Sequence, residues 1–141
     1  MHKELRQRLA KEYQYAAAKV AEAQNLPKKL FYFSVLFGEA QRALNFEWDR
    51  ELALIHTVTH RAHEQMNGAM QNPGAAGLPI DWSTIQEQIP VVTADMAAYF
   101  TKPEGDTDYE ELCQILGRIA ELTYMVSGNG SYLYEKGHIK I

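Results

Sequence analysis

The sequence has little of what staples, anchors or addresses a chain. One cysteine, Cys113, occurs in 141 residues. That excludes an intramolecular disulfide and any Cys-x-x-Cys pair, and it suits a reducing cytoplasm. No apolar run approaches the roughly 20 residues that a bilayer-crossing helix needs. Residues 1–24 carry charge from Lys3 onward and lack the apolar stretch of a secretory leader. Internal repeats and low-complexity segments are missing too. The zincin helix pattern is broken, because His63-Glu64 is followed by Asn67 where the second histidine belongs. A lone Gly128-Asn129-Gly130 is too short for a phosphate loop.

What is present points to one helical domain spanning residues 1–141. Leu5, Leu9, Tyr13, Ala16 and Val20 recur every three or four residues, which is one helical stripe. Asn25-Leu26-Pro27 ends that helix and caps the next, over residues 27–45. Its apolar residues cover more than half the circumference, and Gly38 within it suggests a close helix crossing. Asp49 caps a long central helix that runs to Asn72. Ser83 and Gln86 have capping-box spacing at the start of a fourth helix, in which Pro90 predicts a kink or restart. Thr107 and Glu110 have the same spacing before a fifth. The expected fold class is therefore all-α, an antiparallel bundle of about five helices. Residues 131–141 predict a short C-terminal hairpin or an irregular tail.

The net charge of −4 is unevenly spread. Residues 1–29 hold seven Lys and Arg against Glu4, Glu12 and Glu22, a surplus of four positive charges, so the remainder carries −8. A basic first helix could meet phosphates. The acidic whole, and the glutamates interleaved with those cations, argue instead for protein contacts.

The central helix carries the densest chemistry. At 100° per residue, His56, His60 and His63 fall within an arc of roughly 60° on one face. Imidazoles at i and i+4 can share a divalent transition metal such as Zn, with Glu64 or Glu39 as further ligands. Glu121 is another carboxylate that a neighbouring helix could bring. The plainer reading of the same face is a hydrogen-bonded or solvated shoulder beside the core stripe of Leu52, Ile55, Thr59, Ala62, Met66 and Met70. Phe33, Phe37, Met66, Met70 and Met96 could line an apolar pocket or simply fill a core. Phe31, Phe33 and Phe37 exceed what one buried stripe requires, so they are the candidate interface of a homodimer.

Arg50 and His56, five residues apart, resemble the Arg-x(4–6)-His motif of HEPN-domain proteins. That family is also a small all-α bundle and includes RNA-cleaving members. The resemblance implies Arg50 and His56 acting together at a phosphodiester. The leading expectation is a homodimeric protein-interaction module without catalysis. The alternative is a small metal-binding or HEPN-like RNA-cleaving enzyme centred on the histidine helix.

Overall fold

The computed structural model describes residues 1–72, 74, 79–103, 105 and 107–127. Among them are six α-helices and no strand: α1 (Lys3–Glu22), α2 (Leu26–Phe33), α3 (Val35–Leu44), α4 (Arg50–Gln71), α5 (Trp82–Thr101) and α6 (Tyr109–Ser127). The all-α expectation holds. The expected C-terminal hairpin or irregular tail lies outside the described residues.

Caps set most of the boundaries. The Asn25 side chain accepts from the Lys28 amide, and the Asp49 side chain accepts from the Leu52 amide. Each satisfies one of the orphan donors of a helix start. The fourth predicted helix opens differently from the expectation. Asp81, not Ser83, is its cap, accepting from both the amide and the hydroxyl of Thr84. A carboxylate holding two donors outcompetes a single hydroxyl two residues later. At α6 the Asp108 side chain takes the Glu110 amide.

Two interruptions also differ. The single helix expected over residues 27–45 divides at Ser34 into α2 and α3. The Ser34 hydroxyl donates back to the Phe31 carbonyl, a local bond that competes with the helical ladder. Pro90, in contrast, does not end α5, which runs through it. Ile85, Ile89, Val92 and Met96 are all fully buried on that helix, and their packing holds it across the lost backbone donor.

The rods α1, α2–α3, α4, α5 and α6 form a closed circuit. α1 packs on α5 and on α2–α3; α3 packs on α4; α4 packs on α6; and α6 returns to α5. Cross-contacts show α2–α3 running opposite to α1, α5 opposite to α4 and α6 opposite to α5. Val20 meets Lys29 while Tyr13 meets Leu36 and Arg8 meets Glu39. Glu51 at the start of α4 meets Tyr99 at the end of α5, and Lys102 turns back onto Glu111. Inside the ring lies one continuous apolar core, with Tyr13, Phe33, Leu52, Ile55, Met66, Ile85, Met96 and Leu116 fully enclosed. Each such side chain contributes roughly 1.5–3 kcal/mol by leaving water. Phe33, Met66 and Met96 thus fill the core rather than line a pocket.

Two polar side chains that reach this interior tie helices together. The buried Tyr13 hydroxyl donates to the Leu36 carbonyl, 2.7 Å away, and burial raises its pKa well above the usual phenol range. Arg6 is buried, donates to the Tyr99 carbonyl at 3.1 Å and lies over the Tyr99 and Phe100 rings. It ties the start of α1 to the last turn of α5, where carbonyls lack helical donors. Gly38 does not mark a close crossing, since a methyl group built there would meet nothing within 4 Å.

Candidate functional site

The three histidines of α4 do share one face, and α3 closes on it through Phe37. The Phe37 ring meets His60 at 4.9 Å, His63 at 5.2 Å and His56 at 6.4 Å between centroids, each edge to face. His56 and His60 stack nearly parallel at 5.5 Å. The cluster is therefore an aromatic seam between α3 and α4. Phe37 is half-buried there.

Burial holds His56 below the ordinary imidazole pKa, and His60 pushes it the same way. His63 is lowered for the same two reasons, while a hydrogen bond to the Leu30 carbonyl pulls it back. Both rings are thus neutral near pH 7. His60 is exposed at the rim, and its Nδ1 lies 3.8 Å from the exposed Glu64 carboxylate on the next turn. That distance is too long for a hydrogen bond.

The second carboxylate considered for this face points elsewhere. Glu39 turns toward α1, with one oxygen 3.7 Å from Arg8 and the other 3.8 Å from Arg42. Glu121 is partly buried on α6, and its Oε2 has no hydrogen-bond partner. Among the described residues no group of three or more His, Cys, Asp or Glu is arranged to hold a metal ion. Arg50 and His56 are likewise parted. Arg50 leaves α4 toward α6 and stacks 4.3 Å from the centre of the Tyr109 ring, whereas His56 faces Phe37 of α3.

The candidate interface residues separate in the same way. Phe33 is fully buried in the core. Phe31 is 67% exposed and stands edge to face with Tyr32, which does the same with the 51% exposed Tyr15 of α1. Lys19 lies over the Tyr15 ring. These rings make an aromatic surface across α1 and α2.

Two features were not singled out from the sequence. Phe46 and Trp48, in the connection between α3 and α4, are the most exposed large apolar side chains among the described residues, at 82% and 74%. Their position outside both helical stripes was the available signal. Phe46 borders a groove between α1 and α3 that also contains Leu5, Arg8, Glu39 and Arg42. Glu39 and Arg42 are legible as an i, i+3 pair, but Arg8 joins them only through the fold. Cys113 is half-buried, within reach of the Tyr109 hydroxyl. No helix among the described residues is long and apolar enough to cross a membrane. Set against known proteins, the chain matches no family model, no curated protein and no solved structure, so only its own geometry bears on its role.

Proposed function

We propose that this chain is a non-catalytic interaction module that pairs with a second copy through the aromatic surface of α1 and α2. The observation that carries this reading is the aromatic set Tyr15, Phe31 and Tyr32 on two adjacent helices, in which the exposed Tyr15 and Phe31 each stand edge to face with the half-buried Tyr32. Large rings with polar tips concentrate binding energy at interfaces. A two-fold axis through this face would let each Phe31 meet the other copy's tyrosines, the self-complementary arrangement of a symmetric dimer. The histidine seam then serves to hold α3 on α4 rather than to do chemistry.

Sedimentation velocity across a concentration series tests it. The wild-type chain sediments as a dimer at high micromolar concentration, and Phe31→Glu shifts it to monomer with an unchanged circular-dichroism spectrum. A wild-type monomer throughout that range removes the reading. A metal role for His56, His60 and His63 is addressed separately by elemental analysis of protein purified without an affinity tag. Stoichiometric zinc, lost in His56→Ala plus His60→Ala, would replace the structural account of the seam.

A further inference from the structure

The groove between α1 and α3 is separate from the aromatic surface and has the make-up of a ligand site. It encloses about 330 Å³, within the usual range for small-molecule clefts. Leu5, Leu9 and Ala43 give it an apolar floor, and the exposed Phe46 ring stands at its border. Its polar end is unusual. One carboxylate, Glu39, is opposed by two guanidinium groups, and each of its oxygens faces a different arginine.

Neither arginine is firmly engaged there. The separations of 3.7 and 3.8 Å exceed hydrogen-bond reach, whereas a charge-assisted arginine–carboxylate bond closes to about 2.7–2.9 Å. Arg8 and Arg42 are both exposed, so their forks retain donors and can turn toward an incoming anion. The balance of two cations against one anion leaves room for one more negative charge. A volume of about 330 Å³ is on the scale of a single small molecule.

The geometry points to a binding site for a small monocarboxylate with an apolar body, of the medium-chain fatty-acid class. The body lies on Leu5, Leu9 and Ala43 against the Phe46 ring. The carboxylate takes the open donors of Arg8 and Arg42. Glu39 competes with it for both arginines and so sets the affinity below what two free guanidinium groups would give.

An amide-resolved NMR titration of the full chain with sodium octanoate tests this, with octan-1-ol and octylammonium as matched probes. Octanoate is expected to give saturable shifts at the amides of residues 5–9 and 39–46. Octan-1-ol binds about tenfold more weakly, the loss that goes with a charge-assisted contact, and octylammonium leaves those amides unmoved. Arg42→Ala, an exposed change that spares the core, weakens octanoate about tenfold. Glu39→Gln tightens it, because the competing carboxylate is gone. Equal affinity for octan-1-ol, shifts centred elsewhere, or weaker binding in Glu39→Gln would each overturn the assignment. Shifts of the same amides on raising protein concentration without octanoate would give the groove to a second copy, and would overturn it too.

Discussion

At the scale of single residues, the histidine seam links burial to acid sensitivity. His56 and His63 are packed against Phe37 as neutral rings, and burial lowers both below the ordinary value of 6.5. The unfolded chain therefore binds protons that the folded chain refuses. By linkage, stability is full above the unfolded value and declines as pH falls through 6.5 toward the folded values. The charged groups that bear on these rings are few: His60 repels both, and Glu64 stands by His60 rather than by them. Urea midpoints are expected to fall between about pH 7.5 and about pH 5.5, above the range where ordinary carboxylates protonate. The double variant His56→Asn plus His63→Asn should show a flatter profile over that interval. An undiminished slope in that variant would move the acid sensitivity to another group.

At the scale of elements, what the sequence made legible was what local chemistry decides. Asn25 and Asp49 cap the helices expected of them, and the stripes through Leu9, Tyr13 and Val20, and through Leu52, Ile55 and Met66, face the core. Two departures have different origins. α5 does not restart at Pro90 because the helix is buried along one side, which is tertiary packing, whereas Ser34 divides α2 from α3 because its hydroxyl finds a backbone acceptor three residues back. The candidate site follows the same division. Three histidines on one face could be read from the spacing, but that Phe37 fills the seam, that Glu39 serves Arg8, and that Arg50 serves Tyr109 are contacts between elements. Gly38 shows the distinction in a form that can be measured. It lies inside α3 with open space beyond it, so it keeps the helical cost of glycine and returns no packing. Gly38→Ala should stabilise the monomer by about 0.5–1 kcal/mol in urea denaturation. Destabilisation would mean that a surface closes on Gly38 in solution, and would locate an interface on α3.

At the scale of the whole molecule, the uneven charge decides how two copies can meet. The surplus of four positive charges over residues 1–29 belongs to α1, the start of α2 and the residues flanking them, and α1 and α2 present Tyr15, Phe31 and Tyr32. Some of that surplus is locally offset: Arg8 has Glu39, from outside residues 1–29, within 4 Å. The rest would confront its own image in a symmetric pair. Aromatic contact must then outweigh a like-charge repulsion that solvent and salt screen. The screening length shrinks from roughly 10 Å at 0.1 M salt to roughly 3 Å at 1 M, so salt relieves the repulsion and leaves the apolar contact in place. Dimerisation through α1 and α2 should accordingly tighten several-fold as salt rises, with the dissociation constant from sedimentation equilibrium as the measurement. The opposite trend has an equally definite meaning. A dissociation constant that rises with salt would place the basic face of one copy against the acidic remainder of another. That head-to-tail contact cannot be the symmetric pair proposed, and Phe31→Glu would then weaken it by adding a negative charge to the wrong side.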